Sequence, residues 1–265
     1  SWKYLKGDVD TKHADILLIV CCFVTGLLDS GIFCNFGVFV GMQTGNTVLL
    51  GLSTASLPPN QPHLAPRAIL SIVSFLIGAF VTANFIRLLS RHLLSRPGSR
   101  APSRPASVHL PRLPLLLALL FQLLLLIIAG ALCATRLVPT EAREVLMDPS
   151  SYNPLSHPSP LSDLRVLIPL PPLAMHFGSQ VAISRALGVS EIPTSVLTSA
   201  YADLMGDPGL FETRNRKRDR RVASMVLLLG GGIVGAWLLR AGIQVDGLIW
   251  VGVGVKAVVL LGAWV

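Results

Sequence analysis

The chain is dominated by apolar segments that are each long enough to cross a lipid bilayer. Three segments contain no charged residue: 68–86, 113–135 and 222–239. Three others, 16–36, 166–184 and 247–265, each contain one Asp, His or Lys. A helix of about 20 residues spans the hydrocarbon core, and it satisfies every backbone amide without water. The sequence therefore predicts an all-α polytopic membrane protein with about six spans.

The composition and the placement of charge support a membrane protein. Only 14% of residues are charged and mean hydropathy is +0.64, whereas soluble domains carry about a quarter charged residues. The net charge of +8 comes mainly from loops 87–112 and 207–221, as the positive-inside rule predicts for cytoplasmic loops. We therefore predict no nucleic-acid partner. Anionic lipid headgroups are compatible partners of both loops.

The loops constrain the number of spans. If both basic loops face the cytoplasm, an even number of spans separates them. Segments 113–135 and 166–187 are long enough to cross, whereas 193–205 is too short and is predicted to be a broken or re-entrant helix. We predict that 91–112 forms a basic cytoplasmic loop and that the proline-rich 137–162 forms a non-cytoplasmic loop. Full crossing by all eight apolar elements stays open.

The two halves of the chain share short sequence similarities. GAFVTANFIR (78–87) aligns with GGIVGAWLLR (231–240) at an offset of 153 residues, and MQTGNTVLLGL (42–52) aligns with VLTSAYADLMG (196–206) at an offset of 154. Near-equal offsets indicate an internal duplication. We predict one transmembrane domain over 1–265 whose halves, approximately 14–136 and 163–265, form an inverted repeat of three spans each.

The short polar elements are the predicted solute site. Glycine, hydroxyl and amide residues at bilayer depth are costly unless they line a cavity or pack against helices, and the ends of broken helices can hold a small ion. His176 and Gln180 share one face of the fifth apolar segment. The predicted site comprises Asp29, Gln43, Thr44, Gly45, Asn46, Thr47, His176, Gln180, Thr198 and Ser199.

Asp29 is the only charged residue in segment 16–36. Asp29-Ser30-Gly31 has the form of an aspartic-protease loop, but no second D-[ST]-G is present. Rhomboid and nucleotide-binding motifs are also missing, so we predict no enzyme, no catalytic residue and no cofactor. Ionisable residues within a membrane are most often functional, and Asp29 is predicted to bind a cation or to carry a proton. The alternative is a residue that fixes helix packing.

Lys256 lies in the middle of the last apolar segment. It either snorkels toward an interface or forms an ion pair with Asp29, which would neutralise both charges. His176 has no second histidine at ligand spacing, so no metal site is predicted. A hydrogen-bonded packing role and a proton relay both remain open for His176.

Three segments resemble a known family. GLLDSGIF, VGMQTGNTVLLGL and SRALGVSEIPTSVLTSAYADL are similar to the YoaK-like family of uncharacterised membrane proteins, in the version found in fungi. The resemblance extends over nearly the whole apolar chain. It implies an integral membrane protein with about six spans, and it implies no substrate, catalytic residue or cofactor.

These observations predict a multi-pass secondary transporter or channel-like carrier of a small solute, with Asp29 as the candidate proton-coupling group. The alternative is a membrane scaffold or assembly protein whose buried polar residues only fix helix packing. The substrate, the direction of transport, the membrane and the oligomeric state stay open.

Overall fold

The computed structural model describes residues 7, 14–57, 61, 63–94, 110–135, 137–138, 161, 163–189 and 191–264. Within this part of the chain the regular elements are helices, and no β-strand occurs. The middle of the predicted basic loop and most of the predicted proline-rich loop lie outside the described residues.

The described residues contain eight α-helices. Six helical segments are long and apolar enough to span a membrane, and the fourth of these also includes a 3₁₀ turn (Leu164–Leu167). The long helices are α1 (Ala14–Phe36), α3 (Leu64–Leu94), α4 (Arg112–Ala134), α5 (Leu170–Ala186), α7 (Arg216–Arg240) and α8 (Val245–Trp264). The short helices are α2 (Gln43–Ser53) and α6 (Thr198–Met205). The predicted all-α fold, with six spans and two short helices, is confirmed.

Local sequence signals set several helix boundaries. Gly37 ends α1 and Gly188 ends α5, each with positive φ (66° and 70°), a conformation that glycine adopts without steric cost. Pro169 precedes α5, where a missing backbone amide costs nothing. Asn215 caps α7 by accepting a hydrogen bond from the Arg218 amide at 3.0 Å.

The first helix of each half packs along the second spanning helix of the other half. Gly26 on α1 lies against the backbone of α7, where an added Cβ would be 1.9 Å from the carbonyl oxygen of Leu228. Gly178 on α5 lies against α3 in the same way, at 2.0 Å from the carbonyl oxygen of Phe75. Glycine lets the helix backbones approach this closely. These contacts recur at offsets of 152 and 153 residues.

The partner helices contribute glycines to the same contacts. A Cβ at Gly231 on α7 would lie 2.0 Å from the carbonyl oxygen of Phe23, and one at Gly78 on α3 would lie 2.2 Å from that of Met175. Gly78 and Gly231 are the first residues of the two aligned segments. Helices α4 and α8 pack against each other, α8 against α1 and α4 against α5. In both close contacts, α1 with α7 and α3 with α5, a helix of one half of the chain therefore packs against a helix of the other half.

The core contains two apolar clusters, one toward each end of the bundle. The basic-end cluster, near the arginine-rich segments, includes Leu18, Cys22, Ile86, Leu119, Ile183 and Val259. The far-end cluster includes Leu28, Phe36, Leu126, Leu170, Phe177 and Ile249. Along α1, α4, α5 and α8 the two clusters occupy successive parts of each helix, so a layer of the bundle lies between them.

Ion pairs connect helices at the basic end. Asp15 at the start of α1 pairs with Arg216 and Arg220 at the start of α7, each at 3.1 Å. Part of the predicted loop 207–221 is therefore helical, because the Asn215 cap starts α7 before its apolar run. Arg87 likewise lies within α3 rather than in a loop.

Candidate functional site

A layer of buried polar side chains separates the two apolar clusters. We define this central polar layer as Thr25, Gln122, His176, Gln180 and Lys256, which come from α1, α4, α5 and α8. Each side chain is at most 3% exposed. Polar groups are expensive to bury at this depth unless they find partners, so the partners of each group determine what the layer can do.

Lys256 lies at the centre of the layer. Its Nζ donates to Oε1 of Gln180 at 2.5 Å, to Oε1 of Gln122 at 3.0 Å and to Sγ of Cys21 at 3.2 Å. The three ammonium protons are therefore matched by three acceptors. Two of these acceptors are neutral amide oxygens, and the third is the sulfur of Cys21.

The ion pair with Asp29, one of the two alternatives for Lys256, does not occur in the structure. Lys256 contacts α1 at Cys21, eight residues before Asp29, and that separation is about 12 Å along a helix. Within the described residues Lys256 forms no salt bridge with any carboxylate. Spacing along the sequence gave the depth of each charge only roughly, and it could not show which helices face each other.

Thr25 connects the polar layer to the segment that precedes α6. Its Oγ1 accepts from Nε2 of Gln180 at 3.0 Å. The same hydroxyl lies 2.8 Å from the carbonyl oxygen of Thr194 and 3.0 Å from that of Cys21, either of which can accept its single proton. Thr194 has φ +39°, a left-handed conformation that is strained for a β-branched residue.

Asp29 likewise connects α1 to the segment that precedes α2. Its Oδ1 accepts from the backbone amides of Val40 and Gly41, both at 2.9 Å. Its Oδ2 is buried and has no hydrogen-bond partner in the described structure. A Cβ at Gly41 would lie 2.7 Å from Oδ2, so the close approach requires glycine. Thr25 and Asp29 are one helical turn apart, and one face of α1 therefore holds both broken elements.

Several buried polar atoms around this face of α1 lack a partner. Within the described residues the atoms are Oδ2 of Asp29, Nε2 of Gln122, Nε2 of His176, Oγ1 of Thr194 and Oγ of Ser195. Native proteins leave few such atoms unsatisfied, and each needs an explanation. Three further buried atoms without a partner in the described structure, on Gln61, Ser90 and Arg221, lie outside this group.

The tautomer of His176 follows from its contact. Its Nδ1 lies 3.0 Å from the backbone carbonyl oxygen of Gln122, which can only accept. Nδ1 therefore carries the proton, and Nε2 is left as an acceptor. Among the described residues no three His, Cys, Asp or Glu side chains converge as a metal site requires.

The sequence profile of a family described as "Protein of unknown function (DUF1275)" matches residues 17–262. The chain belongs to this family. The match confirms the resemblance to an uncharacterised membrane family. No curated protein and no solved structure matches the chain. The description of DUF1275 names no substrate or reaction, so the residues of the site are the basis for any function.

The predicted first-half residues of this DUF1275 protein divide into two groups. Asn46 is fully buried and bonds to the backbone of Phe39 through both of its side-chain polar atoms, at 2.7 and 2.9 Å. Gln43 and Ser71 of α3 join the same network. Gly45 packs against the Phe39 ring. These residues attach α2 to α3 and lie apart from the central polar layer.

Thr44 and Thr47 belong to the second group, because they are exposed on the outer face of α2. Thr47 bonds only within its own helix, to the carbonyl oxygen of Gln43 at 2.9 Å. In the segment 43–47, the two amide residues Gln43 and Asn46 therefore face the protein, and the two threonines do not.

The second-half prediction is displaced by one turn. Thr198 and Ser199 begin α6 and are exposed, whereas Thr194 and Ser195 are buried before it. A turn follows Pro193, in which the Val196 amide donates to the Pro193 carbonyl oxygen at 3.3 Å. The buried hydroxyls therefore lie in the turn.

Sequence reasoning missed Gln122 as a site residue. Gln122 is the only polar side chain between residues 113 and 132, and a lone amide in a leucine-rich span is itself a signal of an interhelical partner. The contact between Cys21 and Lys256 was not predicted from the sequence either.

Proposed function

We propose that this protein is a membrane carrier for a small polar solute, with the central polar layer as its binding site. The observation on which this proposal depends is the set of unpaired buried polar atoms around Thr25 and Asp29. A scaffold would need only packing contacts, and unpaired polar atoms would destabilise it by about 1–3 kcal/mol each. A solute that enters the layer would provide the missing partners.

The two apolar clusters would act as the two gates of the carrier. The basic-end cluster and the far-end cluster each separate the polar layer from one end of the bundle. Opening one cluster at a time would give alternating access. The close α1–α7 and α3–α5 contacts join the halves, and a rocking movement would pivot about them.

Asp29 is the proposed proton carrier. Its Oδ1 is fixed by two backbone amides, while Oδ2 is buried without a donor or acceptor. A proton can occupy Oδ2 without breaking either backbone hydrogen bond. Protonation would thus change the charge beside Thr25 while the segment before α2 stays attached.

The experiment is solute flux into liposomes that contain the purified protein and an internal pH dye. A panel of small anions, cations and neutral solutes is added outside, and Asp29→Asn and Asp203→Asn are measured beside the wild type. Asp203 is an exposed carboxylate on α6 and serves as the matched control. We expect one class of solute to change internal pH with the wild type and with Asp203→Asn, but not with Asp29→Asn.

Asn is close to isosteric with Asp, so Asp29→Asn should keep the hydrogen bonds from Val40 and Gly41. The elution profile and unfolding temperature of Asp29→Asn test whether the variant is folded. A folded variant that still couples solute to protons would contradict the role of Asp29. If no solute moves at all with the wild type, the carrier proposal fails and the scaffold becomes the better explanation.

A further inference from the structure

Lys256 is a buried ammonium group without an anionic partner among the described residues. Its side chain is 3% exposed, and its three acceptors are two amide oxygens and the sulfur of Cys21. Buried charges in proteins are normally paired with an opposite charge, and the cost rises within a membrane. The layer therefore has the charge of one cation, and an anion that binds Nζ would take the place of one of its three present acceptors.

We propose that Lys256 anchors the transported solute and that this solute is a small oxyanion that also carries an O–H donor. The inference deepens the proposed carrier function, on which it rests. A carboxylate with a neighbouring hydroxyl has this chemistry, and so does monohydrogen phosphate. The oxyanion supplies the missing negative charge, and the O–H group supplies a donor.

Gln122 contacts both Lys256 and His176. Its Oε1 accepts from Lys256, so its unpaired Nε2 lies on the same amide, beside the ammonium group. Its backbone carbonyl oxygen accepts from Nδ1 of His176, so the unpaired Nε2 of His176 lies across the same ring. The cation and the amide N–H suit an oxyanion. The bare imidazole nitrogen suits an O–H donor.

Binding is measured by the unfolding temperature of the purified protein in detergent. The probes are lactate and propionate, which share a carbon skeleton and differ by one hydroxyl, together with phosphate and choline. We expect a saturable rise in unfolding temperature with lactate and phosphate, a smaller rise with propionate, and none with choline. An equal response to lactate and propionate would overturn the O–H part, and a response to choline alone would overturn the anion site.

Variants assign the response to the layer. Lys256→Met keeps the length of the side chain and should weaken lactate binding by about 30-fold or more. His176→Phe keeps the ring and should reduce the lactate response to that of propionate. Asp203→Asn should bind as the wild type does. Full lactate binding by Lys256→Met would overturn the proposal.

Gln122→Glu tests the same idea if Lys256→Met does not fold. This substitution places a carboxylate against Nζ of Lys256, where the substrate's anion would lie. We expect a higher unfolding temperature than the wild type and loss of the lactate response, because the internal carboxylate replaces the ligand. A lower unfolding temperature would show that Lys256 is not an unpaired cation.

The two proposals fail separately. Saturable lactate or phosphate binding that depends on Lys256, without flux in liposomes, would leave the oxyanion site and remove the carrier. Flux of a cation or neutral solute that persists in Lys256→Met would support the carrier and overturn the oxyanion inference.

Discussion

Gly26 of α1 and Gly178 of α5 take the same position in the two halves, each against the backbone of a helix from the opposite half. A Cβ at either glycine would lie about 2 Å from a carbonyl oxygen, Leu228 for Gly26 and Phe75 for Gly178. Helix pairs in such close contact strongly constrain the geometry of the bundle, because neither helix of a pair can shift without losing backbone contact along the crossing.

Alanine at either glycine should therefore separate a helix pair. We expect Gly26→Ala and Gly178→Ala each to lower the free energy of unfolding by about 3 kcal/mol. Gly230→Ala is the control, since Gly230 on α7 has no atom within 4 Å of the added Cβ, and it should be neutral or stabilising by up to about 1 kcal/mol. Reversible unfolding in mixed micelles measures all three, and similar losses from Gly26 and Gly230 would refute the close-contact explanation.

Asp29 should tolerate loss of its charge better than loss of its hydrogen bonds. Asp29→Asn keeps an acceptor for the Val40 and Gly41 amides and should change the free energy of unfolding by about 1 kcal/mol or less. Asp29→Ala leaves both amides buried and unpaired and should cost about 2–4 kcal/mol. Unfolding measurements on the two variants compare the effects, and equal losses would argue that the carboxylate charge itself stabilises the fold.

Thr194 is strained, buried and incompletely hydrogen-bonded. We expect it to lower the stability of the fold and to contribute to solute binding. Its φ is +39° and its hydroxyl lacks a partner in the described structure. Thr194→Gly should raise the free energy of unfolding by about 1 kcal/mol while reducing solute flux. Ser56, at φ 55° and exposed, provides the control.

Ser56→Gly should relieve comparable backbone strain and leave flux unchanged. Unfolding temperature and liposome flux, measured on both variants, separate the two effects. Wild-type flux in Thr194→Gly would mean that this hydroxyl has no part in the site.

Asp207 should make the α6–α7 connection sensitive to acid. The backbone amide of Gly209 at 2.9 Å, then the Asn215 amide and the Arg221 guanidinium, both at 3.1 Å, hold the pKa of Asp207 below its ordinary value of 3.8. A lowered folded-state pKa stabilises the protein above the ordinary value, and the contribution is lost as pH falls through 3.8 to the folded pKa.

The measurement is the difference in unfolding temperature between the wild type and Asp207→Asn, from neutral pH down to about pH 3. We expect a constant difference at neutral pH that narrows in acid. A difference that widens in acid would have the wrong sign and would exclude this set of contacts.

The spans and the short helices could be predicted because each depends on its own segment. The apolar runs predicted about six crossings, and segment 193–205 was predicted to be a short broken helix because of its length, while full crossing by all eight elements stayed open. Partner choice could not be predicted in the same way. Lys256 meets Cys21 and Gln122 because α8 packs against both α1 and α4, and no local pattern in α8 specifies those neighbours.

Residues at helix starts were the other source of error. Thr198 and Ser199 were predicted to line the site because they are polar residues of a short broken element. The turn between Pro193 and Leu197 buries Thr194 and Ser195 instead. This turn contacts other helices, because the hydroxyls of Thr25 and Ser184 lie within hydrogen-bond distance of the backbone carbonyl oxygens of Thr194 and Ile192. The local sequence does not specify those contacts.

The crossed pairing of α1 with α7 also has a consequence for biogenesis. During synthesis α1 enters the membrane long before the ribosome has translated residues 216–240, so its glycine-lined face waits without the helix that will cover it. The first half cannot complete its packing alone, and the insertion machinery must hold it until the second half arrives. Truncated chains should consequently be handled by the cell as unassembled protein, and two separately expressed halves should rescue each other.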